Sequence, residues 1–401
     1  MFRRITLALL TVFAPLAAMC PTAARANVAV NVHSNDAAQA ERDESLRVAW
    51  SRVARLRRGI NLSAWFAQSP RGDYSENHLK THTTARDIAL IKSLGFDHVR
   101  FTVEPAPFFD EAHPSELNAE YLRRVDDALD MMLASGLSVV FDIHPSDEFK
   151  IKLRTDDKHV EAFAAFWRAL ARHLSARDPE HLFLEILNEP MVEDAYRWMG
   201  IQARVAAAVR EGAPRHTIIA TGPRWSAVDE LLRIEPLADR NVIYTFHLYD
   251  PHTFTHQGAT WGATYWPYLK GVPYPSSPEA VAALLPSVEN ESARGALKAY
   301  GDERWNAERL ERMVALAADW AQKRGVPLTC NEFGVYRAYS PPDARLRWIE
   351  DVRVALERHK IGWTMWDYSG SFGVAVRKDG VATPDPQTVA ALGLNHDGRG
   401  R

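Results

Sequence analysis

The feature that most restricts how this chain can fold is an alternation that runs almost from end to end: short apolar segments of strand length separated by amphipathic stretches of helical period. Candidate strands are 59–62, 98–102, 137–143, 182–187, 217–220, 242–246, 328–332 and 362–367, and the helical patterns between them cover 86–93, 119–134, 160–174, 196–211, a weak 226–232, 308–323 and 344–359. Strand–helix repetition of this kind builds parallel sheets, because each crossover helix covers a face of the sheet it leaves. Eight such units are the number that closes on itself, so the expected fold class is α/β, a single (β/α)8 TIM barrel with long loops on the C-terminal face. An open doubly wound sheet is the alternative, since closure is not written in the sequence. Gly95, Gly136, Gly212 and Gly325 each stand between a helical pattern and a strand, where a left-handed cap turns the chain back.

Two segments depart from the repeat. Residues 27–57 form a polar lead followed by a helix-like run, Ala40 to Leu56, which either covers the bottom of a barrel or is a frayed tail. Residues 249–301, after the sixth strand, have no clear period yet contain Phe254, Trp261, Tyr265, Trp266, Tyr268 and Tyr274, an aromatic content that argues for order. At the start, Arg3-Arg4, the apolar run Ile5 to Met19 and the Ala24-Arg25-Ala26 site have the parts of a secretory signal, with cleavage expected after Ala26. The organisation expected is thus a signal over 1–26, a lead over 27–57 and a catalytic barrel over 58–401, in a secreted or periplasmic protein with no membrane anchor once the signal is gone. Cys20 would leave with the signal, and Cys330 alone cannot form an intrachain disulfide.

Charge excludes one class of partner. Lys and Arg number 48 against 51 Asp and Glu, a formal net charge of −3, with none of the basic excess that a phosphate backbone requires. Hydrophobic residues make up 46%, enough for a sizeable core. The functional signal lies where apolar strands end in polar residues, because the C-terminal ends of barrel strands face the active-site mouth. Strand two carries Arg100, strand three His144, strand four Asn188-Glu189-Pro190, strand six His247 and Tyr249, strand seven Asn331-Glu332, and strand eight Trp366-Asp367. Singly, each has a bland reading: Asn-Glu-Pro often opens a helix, and an isolated histidine is usually hydrogen-bonded structure. Glu189 and Glu332, each closing an apolar run at one rim, form the carboxylate pair that glycosidic cleavage needs.

Taken in order, Val99-Arg100-Phe101, Asp142-Ile143-His144, Leu187-Asn188-Glu189-Pro190, His247-Leu248-Tyr249, Asn331-Glu332-Phe333-Gly334 and Trp363-Thr364-Met365-Trp366 resemble the signature of glycoside hydrolase family 5, the cellulase family. The resemblance implies a retaining mechanism with Glu189 as acid/base and Glu332 as nucleophile, and Arg100, His144, Asn188, His247, Tyr249 and Trp366 lining the site. Arg100 and the Tyr249 hydroxyl would hold Glu332 ionised, Glu189 would begin protonated, Asn188 would reach the sugar 2-hydroxyl and Trp366 would offer a stacking face. Trp65, Trp261 and Trp266 are further substrate-binding candidates; the aromatics of the long loop either line the cleft or pack the loop down, and Trp266 is a ring on which the two readings differ. No cofactor and no metal is expected. The implied partner is a β-linked oligo- or polysaccharide, a β-1,4-glucan first, with β-1,3-glucan, mannan or exopolysaccharide as alternatives, and the protein is expected to be a monomer. A secreted barrel that binds glycans without cutting them is the competing reading. Metal-dependent hydrolases and lysine-dependent aldolases fit less well, since no H-x-H and no lysine ends a strand.

Overall fold

The structure, a computed structural model, describes residues 39–394. Eight parallel strands close a barrel in chain order: β1 (Arg58–Asn61), β2 (His98–Val103), β3 (Ser138–Ile143), β4 (Leu182–Glu185), β5 (Thr217–Thr221), β6 (Val242–Leu248), β7 (Leu328–Phe333) and β8 (Gly362–Met365). Closure is explicit in the pairing of β8 with β1, Thr364 opposite Gly59, which decides against the open sheet. The strands are buried almost throughout, as parallel strands covered on the outside by helices and filled on the inside must be. Helices start where short polar side chains meet free amides. Asn118, Asp156, Asp194 and Asn306 each cap the helix that follows, over Ala119–Ala134, Asp157–Leu174, Ala195–Gly212 and Ala307–Arg324.

Gly95, Gly136 and Gly325 adopt the expected positive φ, at 96°, 77° and 62°. Gly212 does something else. It ends the helix Ala195–Gly212 in helical conformation, and a Cβ there would sit 2.5 Å from the carbonyl oxygen of Arg168. The residue is small because two helices cross at that point.

The N-terminal signal falls outside the described residues. Residues 39–53 are helical, and at the bottom of the barrel Val53 and Leu56 pack against Val140, Phe183, Ile219 and Ile243, inward-facing residues of four successive strands. Val53 and Leu56 therefore close the barrel floor. The stretch after β6 is ordered, as its aromatic content suggests, and holds helices at His252–Thr255, Pro278–Ala282 and Glu291–Asp302. A hairpin of β9 (Ala375–Lys378) and β10 (Val381–Pro384) follows β8, before a last short helix, Pro386–Ala391. Among the described residues no helix is long and apolar enough to cross a membrane.

Three buried tryptophans connect the helical ring to the catalytic rim. The indole nitrogens of Trp167, Trp198 and Trp348 donate to the carbonyls of Ile186, Thr221 and Asp250, each within two residues of the end of a strand, at 2.9, 2.8 and 3.1 Å. These bonds satisfy carbonyls that leave the ladder, and fix the loops that begin there.

Candidate active site

The barrel interior turns polar near its C-terminal end, and the turn is organised by one cation. Arg100 is fully buried, and all five guanidinium N–H groups have acceptors. Nε and Nη2 form a fork on Glu185 at 2.9 and 2.8 Å, Nη2 also reaches Asn188 Oδ1 at 2.9 Å, and Nη1 donates to Asn61 Oδ1 at 3.0 Å and to Glu332 Oε1 at 2.6 Å. Asp142 Oδ2 lies 3.0 Å from Nη2. The surrounding carboxylates raise the Arg100 pKa well above its ordinary value against the effect of burial, so the charge is permanent.

Glu332 receives a second donor from the Tyr249 hydroxyl at 2.8 Å. Burial, followed by the charge of Glu332, pushes the Tyr249 pKa far up, which keeps that hydroxyl a donor. Glu189 has different company. Its Oε1 is 3.0 Å from His247 Nδ1, and its side chain is a quarter exposed where that of Glu332 is 5% exposed. Burial depresses the His247 pKa to about 4, so a neutral imidazole separates the two carboxylates. One oxygen of each, with His247 Nδ1, lies within 4.8 Å of the others, a spacing that would also suit a metal ion.

Two backbone irregularities let consecutive residues face the same way. Side chains on a strand alternate between faces, so Asn331 and Glu332 could not both point inward from a regular β7. The ladder between β6 and β7 slips after Phe246, with Phe246 opposite Cys330 and His247 opposite Glu332, and the extra residue is Asn331. Beyond β4, Glu189 itself has φ of 42°, a conformation costing of the order of 1–3 kcal/mol for a residue with a side chain. That turn presents Asn188 to Arg100 and Glu189 to His247 at once.

His144 Nδ1 contacts Asp142 Oδ2 at 2.9 Å and its Nε2 lies 3.2 Å from Asn188 Nδ2. Burial holds the His144 pKa at about 3, so the ring is neutral: Nδ1–H donates to Asp142, Nε2 accepts from Asn188, and the second Asn188 N–H stays available to a ligand. The Trp366 ring stacks over His144 with centroids 5.7 Å apart and 18° between planes. Trp366, Tyr249 and Phe372 form a small apolar cluster with Tyr336 at its edge. Arg345 holds this wall in place, its Nη2 donating to Phe372 O at 2.6 Å.

The six expected lining residues thus converge with both glutamates. The additional tryptophans divide. Trp65 is core: 1% exposed, its Nε1 bonded to Leu79 O, its ring against Phe66 and Phe101. Trp266 is 9% exposed and lies parallel to the His252 ring at 5.8 Å, with His256 at 4.7 Å, so it packs the long loop together. Trp261 is 46% exposed and meets Tyr336 edge-on at 5.0 Å, extending the apolar wall outward. Sequence reasoning passed over four residues. Asn61, Asp142 and Glu185 are polar positions inside otherwise apolar strands, a signal that was present. Trp225 follows β5 in the turn Gly222-Pro223-Arg224-Trp225; it is 53% exposed, and its amide donates to Pro190 O at 2.8 Å, next to Glu189.

The cellulase family model, glycosyl hydrolase family 5, matches residues 59–371. The chain belongs to that family. Family 5 relatives include Endoglucanase C of Acetivibrio thermocellus, 29% identical over 317 residues, 77% of this chain and 90% of the relative. Cellodextrinase A of Ruminococcus flavefaciens is 26% identical over 313 residues, 76% of this chain and 83% of the relative. Among solved family structures, endoglucanase Cel5A from Thermotoga maritima superposes with a TM-score of 0.69 at 25% identity, over 86% of this chain and 99% of that one. As a family 5 member the chain is a glycosyl hydrolase.

Proposed function

We propose that this protein is a retaining β-1,4-glucanase in which Glu332 is the nucleophile and Glu189 the acid/base. The observation that carries the reading is the carboxylate pair at the ends of β4 and β7, with oxygens within 4.8 Å and unlike surroundings. Retention works with carboxyl groups ~5–5.5 Å apart, whereas inversion needs ~6.5–9.5 Å to admit a water between them. Arg100 and Tyr249 each donate to Glu332 and aim its carboxylate at the anomeric carbon. Glu189, facing solvent and one neutral imidazole, is free to carry a proton to the leaving oxygen and then to take one from water. Asn188 offers its unused N–H to the 2-hydroxyl, a bond that strengthens as the oxocarbenium-like state develops.

Two exposed aromatic faces supply the rest of the cleft. Trp225 sits on the Glu189 side, where the leaving saccharide lies, and Trp261 continues the wall of Tyr336, Phe372 and Tyr249 on the Glu332 side. A glucan with equatorial linkages presents flat apolar faces to such rings. Residues 58–401 are taken as the catalytic domain, and residues 1–26 as a secretory signal that brings the enzyme to glycans outside the cytoplasm. The relatives' names, endoglucanase and cellodextrinase, support β-1,4-glucan over β-1,3-glucan and mannan. Product profiling of the purified protein tests this: cello-oligosaccharides should be cut at internal bonds at rates well above laminarin and mannan. Preference for laminarin or mannan would reassign the substrate, and binding of all three without turnover would restore the binding-only reading.

A further inference from the structure

Glu185 is the least expected residue of the barrel. It is a carboxylate in the middle of an apolar strand, Leu182-Phe183-Leu184-Glu185-Ile186-Leu187, 1% exposed and out of reach of a sugar in the cleft. Every contact it makes is with a donor: the Arg100 fork at 2.9 and 2.8 Å, and Asn331 Nδ2 at 2.7 Å. Three donated bonds suit the anion, the form that fits these partners, although burial pushes its pKa up against the pull of Arg100. Its contacts lead to the nucleophile by two routes. Arg100 Nη1 holds Glu332 Oε1, and Asn331 is the residue immediately before Glu332, the one that the β7 irregularity turns inward. Asn61 braces both routes, accepting from Arg100 Nη1 and donating to Asn331 O at 2.9 Å.

We propose that Glu185 is a positioning residue for Glu332, acting through Arg100 and Asn331 to fix the direction of the guanidinium and to neutralise the charge that the nucleophile does not use. The inference rests on Glu332 being the nucleophile. Two consequences follow from the charges. In the free enzyme, a buried guanidinium bonded to Glu332 alone would hold its electron pairs too tightly for attack; the Glu185 fork spends most of that charge elsewhere. In the covalent intermediate, Glu332 becomes an ester and its charge is gone. Without Glu185, Arg100 would then be a buried cation beside a carbon that has just carried positive charge, which opposes the glycosylation step. The groups facing Glu185 are Arg100 on β2, Asp142 on β3, His247 on β6 and Asn331 on β7. Asp142 cannot replace it. It lies against a single guanidinium nitrogen, one of its oxygens has no partner among the described residues, and burial raises its pKa to about 7.

The test is the pH profile of kcat/KM for Glu185→Gln on an aryl β-cellobioside, with melting temperature and active-site titration alongside. Removing one negative charge from beside Arg100 should move the acid limb ~1 unit toward lower pH and reduce kcat/KM ~10²-fold in the folded fraction, since charges at this range shift carboxylates by ~1–3 units. An acid limb unmoved from wild type, with activity loss matched by loss of folded protein, would overturn the proposal and leave Glu185 a structural residue. If Glu185→Gln does not fold, Glu185→Asp keeps the charge and withdraws it by one methylene. It should lower kcat ~10-fold with the acid limb in place, and wild-type kcat in that variant would equally refute the role. Wild-type protein that turns over no β-glucan would instead refute the proposed function, so the two failures are distinct.

Discussion

The long loop after β6 offers the sharpest contrast between packing and binding, because it places two tryptophans in opposite situations. Trp266 is 9% exposed and packed against His252 and His256, while Trp261 is 46% exposed on the wall that leads to Tyr249. Truncating a well-packed tryptophan costs ~3–5 kcal/mol. Unfolding entropy is ~2.1 cal/mol/K per residue, or ~0.7 kcal/mol/K for a cooperative unit of about 350 residues. Trp266→Ala should therefore lower Tm by ~4–7 °C and leave KM for cellotriose through cellohexaose at the wild-type value in the folded protein. Trp261→Ala should do the reverse. Aromatic stacking contributes ~0.5–1.5 kcal/mol beyond area burial, so KM for the longer oligomers should rise ~2- to 13-fold with Tm nearly unchanged. Differential scanning calorimetry and steady-state kinetics on the oligomer series decide the matter. A kinetic defect without a melting change in Trp266→Ala, or silence of Trp261→Ala at every length, would refute the reasoning.

Other variants probe the carboxylate pair and the fold's response to acid. Tyr249→Phe removes one of two donors to Glu332, a bond to a charged group worth ~1.5–3 kcal/mol, and should lower kcat/KM ~10- to 150-fold while lowering Tm by no more than ~2–4 °C. Glu189→Ala should cost several orders of magnitude on cello-oligosaccharides but spare the glycosylation burst with an activated aryl glycoside, whose leaving group needs no proton; equal losses on both would remove Glu189 from the acid role. His216 is buried with neither ring nitrogen partnered among the described residues, and burial lowers its pKa from 6.5 to about 4. The unfolded chain therefore takes up the proton first, and stability is lost as pH falls from about 6.5 toward 4, by up to ~3 kcal/mol for this group. His216→Leu should flatten that part of the stability–pH curve measured by denaturant titration; a parallel curve would contradict the assignment.

The barrel was legible because parallel strands buried on both faces leave continuous apolar runs, and the helix at Ala119–Ala134 shows a complete amphipathic period; both patterns are local. The rim residues were legible for a related reason. A polar residue closing an apolar run, as Glu332 closes Leu328-Thr329-Cys330-Asn331, marks the level at which the barrel opens. What stayed hidden depends on contacts between segments far apart in the chain. Gly212 reads as a cap until the Asp157–Leu174 helix is seen against it. Trp65 and Trp266 carry the same indole as Trp261, and only tertiary neighbours separate core from cleft. The slip in β7 and the left-handed φ of Glu189 leave no trace in composition or period, yet they allow adjacent residues to share one site. Glu185 was visible as a charge inside an apolar strand, but its meaning required Arg100 from β2 and Asn331 from β7.

The mechanism proceeds through a covalent intermediate on Glu332, which a slow substrate can trap. Incubation with a 2-deoxy-2-fluoro-β-cellobioside bearing an activated leaving group should add one fluorocellobiosyl mass to the protein. Peptide mapping should place it on Glu332, and the first product formed from an ordinary aryl β-cellobioside should be the β-anomer by NMR. A label on any other residue, or an α-anomer as first product, would contradict the mechanism read from this site.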